Sequence, residues 1–129
     1  MNISDISFGT TDWSTVERSE HPGSTGSATC RTRQFGAIRV RMVEYSAGYL
    51  ADHCCEKGHI LLCLQGELLT ELQDGRRFTL GPGMSLPGRP KGSYRSAQHE
   101  GHPVSYQVAD QAEAHRSSTR TGATLFIVD

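Results

Sequence analysis

Apolar and polar side chains alternate along much of the chain after residue 36, which predicts β-strands. Between residues 38 and 45, apolar side chains alternate with Arg39 and Arg41, so the arginines lie on one face of a strand and the apolar side chains on the other. The apolar run at 60–64 is short enough to be a buried strand. Further strand patterns follow at 67–72, 76–80, 105–109 and 123–128. Helical periodicity is nearly absent, so we predict an all-β fold.

Turn residues separate these strands at short intervals. Asp74-Gly75 lies between two strand patterns and is the strongest hairpin signal in the sequence. Gly66 ends the preceding run, and Gly81-Pro82-Gly83 forms another turn. Several short strands joined in this way are typical of a β-sandwich or a β-barrel.

Two segments do not carry the strand pattern. Residues 1–36 are polar and rich in Gly, Ser and Thr, and we expect Phe8 and Trp13 to anchor them on the core. Residues 86–105 are polar and contain three prolines, which favours a surface insertion over part of a barrel wall. A chain of 129 residues suits one domain, so we predict that residues 1–129 form a single domain.

The composition narrows the expected partners and compartment. The formal net charge is −1 and the isoelectric point is about 6.6, so neither nucleic acid nor an anionic membrane is expected as a partner. No apolar run approaches the roughly 20 residues of a membrane-spanning helix. The first residues lack the basic start and the apolar stretch of a signal peptide, so we expect cytoplasmic residence.

The four cysteines are expected to be free thiols, because no export signal accompanies them. Adjacent residues on a strand point to opposite faces, so either Cys54 or Cys55 can face a site while the other packs. We expect Cys54 and Cys63 in the core, since free cysteine is among the most buried residue types.

One histidine-rich stretch carries the candidate chemistry. His53 and Cys55 are two residues apart and share a face on a regular strand. A bend at Lys57-Gly58 can return His59 to the same point, and His115 is the best candidate for a further ligand from elsewhere in the chain. Imidazole and thiolate suit Zn, Fe, Ni or Cu, so we predict one divalent transition metal ion.

The spacing of these residues resembles the cupin superfamily. His53-x-Cys55, three residues, His59, six residues and Gly66 match its first motif, with Cys55 where cupins have their second His and His59 where they have Glu. His115, followed four residues later by Thr119, keeps the spacing of the second motif. The resemblance implies a small cupin domain, a double-stranded β-helix or jelly-roll barrel, with a metal on His53, His59 and His115.

More narrowly, the chain resembles the bacterial DHCW-motif cupin-fold proteins. Asp52-His53-Cys54-Cys55 would be the namesake motif with Cys55 in place of Trp. The match covers roughly residues 8–85 and 105–129, which leaves 86–105 as the insertion. Under this resemblance Cys55 is not an inherited ligand, so it is either the fourth ligand or a small packing residue. We expect it to lie within the site without being required for metal binding.

The sequence is compatible with three functions. The first is a metal-dependent enzyme acting on a small molecule, because three histidine ligands leave positions open for a substrate. The others are a non-catalytic cupin that binds a small ligand or senses metal, and a cupin whose structural zinc is closed by Cys55. Arg39, Arg41 or Tyr106 could contact an anionic substrate if they face the barrel, although such arginines ordinarily face solvent.

The length of the N-terminal segment predicts a homodimer, because residues 1–36 are long for a simple tail. Light scattering at tens of micromolar should give twice the mass of one chain. A mass near 14.1 kDa would exclude the dimer.

Deletion of residues 86–105 should leave a folded protein that still binds its metal. The segment is polar, and changing the length of a loop costs only about 0.6 kcal/mol per doubling. Circular dichroism during thermal unfolding checks this, and a variant that no longer unfolds cooperatively would show that the segment belongs to the core.

Overall fold

The computed structural model describes residues 3–82, 106–109 and 113–129. Within these ranges the chain forms a short 3₁₀ helix at Trp13–Thr15 and a series of β-strands. The strands are β1 Arg18–Pro22, β2 Ser27–Phe35, β3 Ile38–Tyr45, β4 His59–Gly66, β5 Leu68–Leu72, β6 Arg77–Leu80, β7 Tyr106–Ala109, β8 His115–Ser118 and β9 Ala123–Val128. No helix in the described ranges is both long and apolar enough to cross a membrane.

The strands form two antiparallel sheets. The larger sheet has the order β1-β2-β3-β9-β4-β7, and the smaller one has the order β6-β5-β8. Both sheets contribute to one hydrophobic core, which includes Leu61 and Leu125 from the larger sheet and Leu68 and Leu80 from the smaller one. The all-β architecture predicted from the sequence is therefore confirmed.

Strand register determines which side chains enter the core. Across β3, β9 and β4, Val43 pairs with Leu125, and Leu125 pairs with Cys63. One step along, Arg41 pairs with Ile127, and Ile127 pairs with Leu61. Because side chains two residues apart share a face, both rows lie on the inner face of the larger sheet. The inner face thus begins as an apolar core and continues into a row that contains an arginine.

The outer face of the larger sheet is also partly apolar. The side chain of Ile60 is 43% exposed and that of Leu64 is 39% exposed, while Leu61 and Cys63 between them are buried. The 60–64 run is therefore a half-buried strand, not the fully buried strand that its unbroken hydrophobicity predicted. On the same outer face Phe126 contacts Trp13, with ring centroids 6.3 Å apart in an edge-to-face arrangement.

The N-terminal segment differs from its prediction. It contributes two strands, β1 and β2, to the larger sheet, although its polar composition carried no strand signal. All five residues of β1 are exposed, which explains why no apolar alternation marks them. Phe8 is 99% exposed and does not anchor the segment, whereas Trp13 does contact the sheet.

The hairpin predicted at Asp74-Gly75 is confirmed. It joins β5 to β6, with the Gly75 N–H donating to the Leu72 carbonyl at 3.0 Å and the Leu72 N–H donating to the Arg76 carbonyl at 2.9 Å. The strands predicted near the C-terminal end appear as β7 and β9. The predicted insertion at 86–105 lies outside the described residues.

Gly66 allows β4 to turn sharply into β5. Its φ of +75° lies in the left-handed region, and a Cβ at this position would overlap the carbonyl oxygen of Gly122. Gly36, between β2 and β3, has a similar φ of +57°, but a Cβ there would meet no atom within 4 Å. A substitution at Gly36 therefore tests backbone strain alone, whereas one at Gly66 tests strain together with steric overlap.

Gly66→Ala should lower the free energy of unfolding by about 3 kcal/mol, since it adds overpacking to left-handed strain. Gly36→Ala is the matched control and should cost only about 1 kcal/mol, from strain alone. Urea titration measures both changes. Equal losses in the two variants would contradict the close approach of Gly66 to Gly122.

Candidate metal centre

An extended segment from Tyr49 to Cys55 lies along β8 and positions the candidate site. The Ala51 N–H donates to the Ser117 carbonyl at 2.9 Å. Further along, Cys55 and His115 form an antiparallel bridge, in which each N–H donates to the other's carbonyl, at 2.7 Å and 3.1 Å. Between these two pairings three residues of the segment lie opposite one residue of β8, Arg116, and the additional residues bulge away from the sheet.

Cys55, His59 and His115 come together where this segment meets β4. One possible ligand atom from each side chain lies within 4.8 Å of the others. The Cys55 Sγ is 3.9 Å from His59 Nδ1, and the two imidazole rings have centroids 4.9 Å apart at an angle of 69°. His59 begins β4 and His115 begins β8, so the cluster joins the two sheets.

The orientation of His115 leaves one nitrogen available. Its side chain is buried, and its Nδ1 lies 3.2 Å from the Glu113 carbonyl oxygen. A carbonyl can only accept, so Nδ1 is the donor in this contact and Nε2 is the nitrogen left for a ligand. A histidine held in this way through its other nitrogen is the usual arrangement for a metal ligand.

His59 is also buried, and its Nε2 has no hydrogen-bond partner among the described residues. Burial lowers the pKa of His59, and the neighbouring His115 and Arg41 lower it further. The neutral imidazole is therefore favoured, and this is the form that binds a metal. A buried nitrogen without a partner costs free energy unless something satisfies it.

His53 is not part of this cluster. Its side chain is 77% exposed, and its Nδ1 pairs with the Asp52 carboxylate. The prediction that it shares a face with Cys55 assumed a regular strand, but the bulge between Ala51 and Cys55 carries it outward. His53 still lines a cavity of about 480 Å³ that adjoins the cluster. The sequence predicted His53, His59 and His115 with Cys55 as a possible fourth ligand, whereas within the described residues the structure groups Cys55, His59 and His115 without His53.

The remaining cysteines take different positions. Cys63 is buried in the core as predicted, and burial raises the pKa of its thiol to about 11. Cys54 is exposed, so its predicted core position is wrong, because it lies on the bulge. Cys30 is buried on the cavity wall, where burial raises the pKa of its thiol. All the cysteines are free thiols, as expected.

A cavity of about 480 Å³ adjoins the cluster. Cys55, His59 and His115 lie on its wall together with Tyr45 and Tyr49. The two tyrosine rings are stacked, with centroids 4.2 Å apart and planes 6° from parallel. Burial raises the pKa of Tyr45 and, to a smaller extent, that of Tyr49, so both phenols are neutral at physiological pH.

Arg39 and Arg41 also line this cavity, although arginines on an alternating strand ordinarily face solvent. Arg39 donates to the Asp129 carboxylate through Nε and a terminal nitrogen, at 2.8 Å and 2.7 Å. Arg41 donates to the same carboxylate at 2.7 Å. Burial alone would raise the pKa of Asp129, but the two arginines outweigh it and hold the pKa below its ordinary value.

Sequence reasoning overlooked Tyr45, Tyr49 and Asp129. For Tyr45 a signal was available, since it is four residues from Arg41 on the same strand and therefore shares its face. Tyr49 and Asp129 carried no comparable signal, because their positions depend on strand pairing. Tyr106 lies on β7, and only its backbone is described.

No protein-family model matches the chain, and no curated protein matches it either. Solved structures do match. The crystal structure of ectoine synthase from P. lautus aligns with a TM-score of 0.64 and 13% identity, over 94% of this chain and 76% of that one. A sugar phosphate isomerase of the cupin superfamily from Silicibacter pomeroyi aligns with a TM-score of 0.60 and 15% identity, over 93% and 74% of the two chains.

A third match is the cupin domain of Cnp3 from Schizosaccharomyces pombe. It aligns with a TM-score of 0.58 and 10% identity, over 92% of this chain and 71% of that one. Identities of 10–15% are too low to transfer an activity, so these alignments show the fold alone.

Proposed function

From the premise that this chain has the cupin fold, we propose that it is a metal-dependent enzyme acting on a small molecule. Cys55, His59 and His115 would hold one divalent transition metal ion, and the adjoining cavity would hold the substrate. The observation that carries the proposal is the grouping of three ligand atoms within 4.8 Å on the wall of a 480 Å³ cavity.

The donor set fits such an ion. Two imidazoles and a thiolate suit Zn, Fe, Ni or Cu better than the hard ions Mg²⁺ and Ca²⁺. The buried His59 Nε2, which lacks a partner in the described part of the chain, would gain one. Because the ligand atoms lie within 4.8 Å of one another, small side-chain movements would allow metal–ligand bonds of about 2.0–2.3 Å.

The number of ligands favours chemistry over a purely structural role. Structural zinc sites are usually closed by four protein ligands, whereas catalytic sites keep a position open. His53 stands apart on its bulge, so the described residues offer three ligands and not the four of a closed site. A bound divalent ion would act there as a Lewis acid on a substrate oxygen.

The surroundings of the cluster suit a small substrate. The cavity is within the range of volumes that small-molecule sites occupy, and its wall combines apolar surface with a few polar groups. Tyr45 and Tyr49 supply neutral phenols that can orient a ligand. Two of the structural neighbours are named as enzymes, an ectoine synthase and a sugar phosphate isomerase, which is compatible with catalysis on this fold.

Purified protein should contain one transition metal ion per chain, and His115→Ala should weaken metal binding by more than about 100-fold. Loss of the hydrogen-bond support of a ligand already costs about 10–100-fold, and loss of the ligand itself costs more. Elemental analysis after dialysis measures the number of metal ions per chain. His53→Ala is the matched control and should leave the content unchanged.

Cobalt-loaded protein should show a thiolate charge-transfer band in the near ultraviolet, and Cys55→Ser should abolish it. This assigns Cys55 as a ligand, in contrast to the expectation from the sequence that binding does not require it.

The proposal fails if the wild type binds no metal. If His53→Ala loses the ion as completely as His115→Ala does, the three-histidine site predicted from the sequence is correct instead.

A further inference from the structure

We propose that the cavity binds a small organic anion whose carboxylate or phosphate group contacts the Arg41 guanidinium. The second end of the ligand would face the Cys55, His59 and His115 cluster, and only this second part rests on the proposed function. The ligand class is thus a small acid with two polar ends, such as a dicarboxylate or a phosphorylated acid.

The first observation is that the Arg41 guanidinium lies on the inner face of the larger sheet, with one N–H donor that has no partner in the described residues. Arg41 lines the cavity, and its Nε is buried without a hydrogen-bond partner in the described residues. One terminal nitrogen already donates to Asp129 at 2.7 Å. An arginine can bind an anion through two parallel N–H groups, and the unsatisfied Nε is one such donor.

The second observation is that two arginines share one acidic side chain. Arg39 and Arg41 both donate to the side-chain carboxylate of Asp129, so two guanidiniums meet one acidic side chain. The Asp52 carboxylate also lines the cavity, but it is largely exposed at the mouth and is paired with His53. An incoming anion would pair with a guanidinium in a partly buried setting, where a charge pair is screened less than at the surface.

The third observation concerns the distance between the two ends. Arg41 pairs with Ile127 and Ile127 pairs with Leu61, so Arg41 lies two strands from Leu61 on the same face. His59 is two residues from Leu61 and also faces inward. Strands lie about 4.8 Å apart, which puts the backbones that carry Arg41 and His59 roughly 10 Å or somewhat more apart. Because the side chains of Arg41 and His59 both point into the cavity, a molecule of a few carbon atoms can bridge the gap between them.

Arg31 provides a matched control. It too donates to a single carboxylate, that of Glu44 at 3.2 Å, and its Nε is likewise buried and unsatisfied within the described residues. Arg31 follows the cavity-lining Cys30, so strand alternation turns it to the opposite face of the sheet. The two arginines therefore differ mainly in whether they face the cavity.

The test is calorimetric titration of zinc-loaded protein with succinate, inorganic phosphate and the neutral compound succinamide. Wild type should bind succinate or phosphate and should not bind succinamide. Arg41→Gln should weaken the binding of that anion by about tenfold or more, the effect of losing a hydrogen bond between charged groups. Arg31→Gln should change it by less than about twofold. An effect on phosphate alone identifies the group as a phosphate, and an effect on succinate identifies it as a carboxylate.

Two results would overturn the proposal: no saturable binding of either anion by wild type up to about 10 mM, or equal affinity in wild type and Arg41→Gln. Thermal unfolding first establishes that each variant folds. If Arg41→Gln does not fold, Arg41→Lys replaces it, since it keeps the positive charge but lacks Nε–H. Wild-type affinity in that variant would then count against the proposal.

The same titrations on protein treated with EDTA separate this inference from the metal proposal. If anion binding still depends on Arg41 without metal, the anion site stands even where the metal site fails. If metal binds but the anions do not, the metal proposal stands and the anion site is wrong.

Discussion

The antiparallel bridge between Cys55 and His115 is the constraint on which the candidate site depends. It aligns the 49–55 segment with β8, and this register directs the Cys55 thiol toward His59 at the start of β4. The same register leaves more residues between Ala51 and Cys55 than β8 can match. The excess bulges outward with His53, so one feature of backbone pairing both assembles the cluster and excludes a histidine from it.

The inner face of the larger sheet forms both part of the hydrophobic core and part of the cavity wall. Val43, Leu125 and Cys63 form one row of the inner face and pack as core, whereas the next row begins with Arg41. Apolar packing at one end fixes the strands, and the row that contains Arg41 is then held at a defined position. The cavity is therefore an extension of the core whose wall adds a few polar side chains to apolar ones, and it needs no separate framework.

Partial burial of Arg39 and Arg41 has an energetic cost, which their pairing with Asp129 offsets. A charge removed from water is unfavourable unless it is paired and hydrogen-bonded, and here two guanidiniums share one carboxylate. Such an arrangement contributes little to stability by itself compared with apolar residues of similar size. A binding role would explain why β3 carries arginines on its inner face where the neighbouring positions are apolar.

The same pattern of side chains can be interpreted in two ways, and β3 shows why. Its alternation revealed a strand and showed that Arg39 and Arg41 share a face, and both conclusions are correct. Alternation alone does not reveal which face is the interior, and the ordinary preference of arginine for solvent indicated the wrong one. Strands β1 and β2 were missed for a related reason: β1 is exposed throughout, and β2 buries only the small side chains of Ala28 and Cys30.

Local chemistry in the sequence determined the all-β class, the Asp74-Gly75 hairpin, the C-terminal strands and the choice of Cys55, His59 and His115 as candidate ligands. Each of these follows from short-range periodicity, turn preference or motif spacing. Only the tertiary structure decided that His53 stands apart from Cys55, His59 and His115, and that Asp129 pairs with Arg39 and Arg41. The physical reason is that these contacts depend on the register between strands distant in sequence, and a shift of one residue in that register turns a side chain from the cavity to solvent.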